Sequence, residues 1–180
     1  MLFCMEEIEV PLEQVQENAH HAHGEKGWLS WAALSSAVIA VCAAVAALFA
    51  GQHANEAMFD QIKAANDWNY YQAKGVKSAV LNSKIDLLKE LGKQASPADV
   101  EKIESYKHDQ EQITEHAKEH EAASEHHLKI HELAARAVTL FQVSIALGAV
   151  AILSRKRKFL FASFAISIVG IFFFVSALLL

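Results

Sequence analysis

Four of the ten histidines, His116, His120, His127 and His131, are spaced by 4, 7 and 4 residues. At about 100° per residue they fall within a stripe of about 60° on one helix face. Imidazoles at i and i+4 can share a divalent transition metal, and Glu115 or Glu119 can add a carboxylate oxygen. The same stripe could sense pH, since imidazoles with an unperturbed pKa of about 6.5 repel one another once protonated. Glu115, Glu119, Glu121 and Glu125 would offset that repulsion. The plainest reading is a solvated helix face that happens to be rich in histidine. A second tract, His20-His21-Ala22-His23, precedes the first apolar stretch. Neither has the His-Glu-x-x-His order of a zinc protease, and no cysteine accompanies them. A divalent transition metal on His116, His120, His127 and His131 is the one cofactor the sequence admits.

The segment Asp67-Trp68-Asn69-Tyr70-Tyr71-Gln72-Ala73-Lys74 puts three aromatics into two helical turns. Aromatics with polar tips suit an interface, so Trp68, Tyr70 and Tyr71 are expected to pack on a neighbouring helix, another subunit or a partner. No nucleophile stands beside a base, no loop has a phosphate-binding pattern, and no carboxylates are paired. The expectation is that the protein is not an enzyme.

The elements that position these residues follow from where charge and apolar residues lie. The formal net charge is −5 on a chain that is 53% hydrophobic. Up to Glu132 there are 21 acids against 11 bases; from Leu133 onward there are five bases and no acid. No clustered basic face exists of the kind nucleic acid requires, and two cysteines, Cys4 and Cys42, build no disulfide framework. A helix needs roughly 20 mostly apolar residues to span a bilayer. Three stretches qualify: 28–51, with Trp28 and Trp31 at headgroup level; 134–153, whose Arg136 can extend to the interface; and 159–180. The acidic, histidine-containing tail 1–27 holds six Glu and one Lys, unlike the start of a cleaved signal peptide, so the first stretch is expected to be a retained anchor. Arg155, Lys156, Arg157 and Lys158 form the only dense basic cluster. By the positive-inside rule the 154–158 loop and the N-terminus are expected in the cytoplasm, with 52–133 on the opposite side.

Residues 52–133 are polar but helical in pattern. Gly92 can end one helix; Ser96 can cap the next, with Pro97 at its first position and Asp99 near its positive end. A turn near 92–98 then makes an antiparallel, coiled-coil-like hairpin. Its expected contact stripes are Phe59, Ile62, Ala73, Val76, Val80, Leu87 and Leu91 on the first arm, and Val100, Ile103, Tyr106, Ile113, Ala117 and Leu128 on the second. No break signal separates the spans from the arms. In the first span Ala33, Ala37, Ala40, Ala44, Ala47 and Gly51 form a seam of small residues that admits close packing, within the chain or between copies. Ser163, Ser167, Gly170 and Ala177 form a weaker one on the third.

The chain resembles the domain-of-unknown-function family 4337, a family of uncharacterised bacterial membrane proteins. The resemblance lies in His20-His21-Ala22-His23 before Trp28-Leu29-Ser30, in Gly51-Gln52-His53-Ala54-Asn55-Glu56-Ala57, in Trp68-Asn69-Tyr70-Tyr71-Gln72-Ala73-Lys74 and in the closing pair of spans. It implies one span, a helical segment and two closing spans, and carries no activity or catalytic residue with it. Together these readings predict an all-α integral protein of the bacterial inner membrane with three transmembrane helices and a long extramembrane hairpin. Its partners are expected to be the bilayer, further copies of itself and an unidentified membrane protein. A non-enzymatic scaffold or partner-binding subunit is the leading expectation; a metal- or pH-responsive accessory of a transport system is the other.

Overall fold

A computed structural model describes residues 12–180, with side chains from residue 27 onward; Cys4 and the His20-His21-Ala22-His23 side chains lie outside what is described. Three helices account for nearly all of it: α1 (Leu12–Glu90), α2 (Pro97–Ser154) and α3 (Arg157–Leu178). No strand occurs among the described residues. Each helix holds a stretch long and apolar enough to cross a membrane, with mean hydropathy of 2.4, 2.0 and 2.4 in chain order. α1 and α2 run without a break from their apolar stretches into their polar ones, because no proline and only scattered glycines interrupt them.

The two turns are built differently. At the first, Gly92 has φ of 71°, the Lys93 N–H donates to Leu88 O at 2.8 Å, and the Gly92 N–H donates to Lys89 O at 3.0 Å. That is a Schellman ending, with the glycine where a left-handed residue is required. α2 then starts on Pro97, while the Ser96 carbonyl accepts from Asp99 N–H at 3.0 Å. At the second turn only Arg155 and Lys156 lie between helices, and Arg155 takes φ of 53° although it is not glycine. Arg157 and Lys158 form the first turn of α3.

The chain divides into two compact units. One comprises Ala46–Ala135 with Phe174–Leu180. In it the polar parts of α1 and α2 pair antiparallel. Ala57, Ala64, Ser78 and Ile85 of α1 are buried, as are Ile103, Ile113, Ala117, Ser124 and Ile130 of α2. On α1 the inward positions alternate by four and three residues: Ala50, His53, Ala57, Asp60, Ala64, Asp67, Tyr71, Lys74, Ser78, Leu81, Ile85 and Leu88. One set is small or apolar, and the other is largely polar. The expected first-arm stripe is therefore corrected: Phe59, Ile62, Val76, Val80, Leu87 and Leu91 are 50–64% exposed, Val76 and Val80 lining an open groove beside Asp99, Lys102 and Tyr106 of α2. Ala73 is exposed as well. On the second arm Ile103, Ile113 and Ala117 face α1, whereas Val100 and Leu128 point outward. Small side chains win the inner face because they let two backbones approach, and the polar ones there find partners across the seam. At one end Ala50, Ile130, Ala134 and Ala177 form a buried cluster flanked by Phe49 and Leu133.

The other unit comprises, among the described residues, the chain up to Val45 together with Arg136–Phe173. Its centre is a hydroxyl clamp between α2 and α3. The Ser144 hydroxyl lies 2.7 Å from Ser163 O, 2.9 Å from Ser163 Oγ and 2.6 Å from Ser167 Oγ, while Ser163 Oγ donates to Ser144 O at 2.8 Å. Gly148 faces Ser36 of α1 so closely that a Cβ there would collide with the Ser36 hydroxyl. A Cβ on Gly170 would come within 2.9 Å of Phe141 Cε1. Ser163, Ser167 and Gly170 of the third span's small-residue stripe thus pack within the chain. Ala33, Ala37, Ala40 and Ala44 of the first span do the opposite and are exposed, since Ala32, Ile39 and Ala43 supply the packed face. In the hairpin unit Ala47 and Gly51, at the end of the same seam, are likewise exposed.

Candidate functional site

The polar positions of the hairpin seam form a ladder of paired side chains. Near its base His131 Nδ1 lies 2.8 Å from Ala50 O. One turn along, His53 and His127 meet Nδ1 to Nδ1 at 2.9 Å, and Glu56 Oε2 lies 3.3 Å from each of those nitrogens. The Ser124 hydroxyl donates to Ala57 O at 2.8 Å. His120 comes next, 3.8 Å from Asp60 and 3.9 Å from Asp67. Beyond it the Trp68 indole N–H donates to Glu121 at 2.8 Å.

Lys74 is held most completely. Its ammonium donates to Asp109 at 2.6 Å and lies 5.1 Å from the Tyr70 ring and 5.0 Å from the Tyr106 ring. The Gln110 amide donates to Tyr71 O at 3.1 Å. The bond to Asp109 raises the Lys74 pKa, against burial, which lowers it. Asp60 moves the other way: the hydrogen bond from Lys63 lowers its pKa, burial opposes that, and the charges of Lys63, His120 and His127 add to the lowering.

Of the histidines singled out by spacing, His120, His127 and His131 all lie on the seam, but each faces a different part of α1. His116 is exposed beside Glu119, at 3.6 Å. The four are not brought to one point. The residues that do converge are His53, Glu56 and His127, whose ligating atoms lie within 4.8 Å of one another. His53 and Glu56 were missed because ligands were sought on one helix. The signal was present as His53-Ala54-Asn55-Glu56, an i,i+3 pair one turn past the first apolar stretch. Trp68 and Tyr71 are half-buried against the second arm, while Tyr70 is exposed with Lys74 over its ring. The segment around them is thus a set of rungs within the hairpin. Arg155, Lys156, Arg157 and Lys158 are all exposed, and Arg157 lies over the Trp28 ring at 5.6 Å.

An all-helical chain, three stretches of spanning length and a hairpin closed by polar rungs define the class of protein. The family model described as Domain of unknown function (DUF4337) matches residues 28–180, and the chain belongs to that family. No curated protein and no solved structure matches the chain.

Proposed function

We propose that this is a non-enzymatic, multi-pass protein of the bacterial inner membrane that self-associates and serves as a scaffold or partner-binding subunit through its hairpin. The carrying observation is the outward stripe of Phe59, Ile62, Val76, Val80, Leu87 and Leu91, half or more exposed on an arm otherwise rich in charge. A run of large apolar residues facing water marks an interaction surface. The exposed seam Ala33, Ala37, Ala40, Ala44, Ala47 and Gly51 supports the same reading for the first span, where small residues allow helices of two copies to approach. A second copy is the occupant both faces suit, because one chain offers the apolar stripe and the small-residue seam on the same helix. The orientation that goes with this reading puts the N-terminus and Arg155, Lys156, Arg157 and Lys158 in the cytoplasm, with the hairpin outside. Chemical cross-linking in native membranes and mass in a mild detergent test it. Oligomers are expected in both, and a monomer in both overturns the reading.

A further inference from the structure

We propose that His53, Glu56 and His127 bind one divalent transition metal of the zinc type, a site that shares only His127 with the histidine stripe and is independent of self-association. The first argument is the shape of the triangle. Its edges are 2.9, 3.3 and 3.3 Å. Around a tetrahedral zinc with bonds of about 2.0–2.1 Å, ligand atoms stand roughly 3.3 Å apart. Two edges already have that length, and a small turn of the imidazoles opens the third.

Proton positions supply the second argument. A ring nitrogen either carries a hydrogen or offers a lone pair in its plane, never both. With Glu56 ionised, one hydrogen shared by the two nitrogens leaves the other nitrogen facing the carboxylate lone pair to lone pair. Two hydrogens satisfy the carboxylate but set N–H against N–H across 2.9 Å. With the carboxylate ionised, each of these two arrangements leaves one edge repulsive. A cation at the centre makes all three favourable at once.

The setting fits as well. His53 is 14% and His127 25% exposed, so their rings are held by packing, and the Phe49 ring meets His53 edge-on at 4.5 Å. Glu56 is 40% exposed, which leaves water a way to the fourth position. Two imidazoles and a carboxylate suit zinc, cobalt or nickel and not calcium or magnesium, which prefer oxygen ligands alone. All three groups stand on helices locked by flanking rungs, Ser124 to Ala57 on one side and His131 to Ala50 on the other.

The test uses the full chain in mild detergent, purified without a histidine tag and with His20, His21 and His23 replaced by Ala. Zinc is titrated by calorimetry, and cobalt by the visible absorption that reports coordination number. One equivalent is expected, with four-coordinate cobalt. His53→Ala and His127→Ala should each weaken zinc binding on the order of 100-fold, and Glu56→Gln about tenfold. His116→Ala should leave it unchanged. Because Glu56 is partly exposed, Glu56→Gln should keep the helical signal and the oligomer mass of the parent. Absence of binding, full affinity in Glu56→Gln, or loss in His116→Ala would overturn the site.

Discussion

Ser144 and Ser36 each hold a buried hydroxyl in an apolar helix, and their surroundings give them opposite effects. Ser144 is bonded to Ser163 and Ser167, whereas the Ser36 hydroxyl has no hydrogen-bond partner among the described residues. Ser144→Ala should cost about 1 kcal/mol in a detergent-unfolding titration, the scale of hydrogen bonds between helices in a bilayer. Ser36→Ala should be neutral or stabilising by up to about 1 kcal/mol, since it removes an unsatisfied group. Glycines divide in the same way. Gly170→Ala would press a methyl into Phe141, which is almost fully buried, and should cost about 1–3 kcal/mol. Gly51 has open space around its Cβ position, so Gly51→Ala should gain about 0.5–1 kcal/mol from helix propensity. Lys74 gives a pH signature. Its folded pKa is raised, so its stabilisation is complete below the ordinary lysine value of about 10.4 and disappears as pH rises through the folded value. The stability difference between the parent and Asp109→Asn should therefore stay level from neutral pH to about 10 and shrink above it.

At the scale of elements, the helices and turns were legible because their signals are local. Apolar runs of spanning length, the Gly92 stop and the Ser96-Pro97 start each act within a few residues. The inner face of the hairpin was not legible by the same means. Counting large apolar residues picks out Phe59, Val76 and Leu91, yet the face that pairs is built on Ala57, Ala64 and Ser78 with His53, Asp60 and Lys74 between them. Alanine is silent in a hydrophobicity pattern, and a polar seam residue looks solvated until its partner on the other helix is known. His53 and Glu56 were hidden for that reason, since the third group of their site lies 71 to 74 residues away at His127. Two substitutions separate the faces. Ala64→Leu should overpack the seam and cost about 1–3 kcal/mol in thermal or denaturant unfolding. Val80→Ser on the outer face should change the stability of the single chain by less than about 0.5 kcal/mol.

For the whole molecule, association and folding can be pulled apart. Ala37→Leu with Ala44→Leu enlarges an exposed face and should leave the chain folded while reducing cross-linked oligomers. Val76→Glu with Val80→Glu should do the same through the arm. If both pairs keep the parental oligomer mass, neither face joins copies. A last consequence concerns the order in which the molecule can be completed. Ala177 is 2% exposed in a cluster with Ala50, Ile130 and Ala134, which belong to the arms made long before it. The foot of the hairpin is therefore finished only after all of α2 and nearly all of α3 have been synthesised. Until then Ala50, Ile130 and Ala134 lack the Ala177 side chain that completes their packing. The last turn of α3 thus supplies the final side chain of that buried cluster.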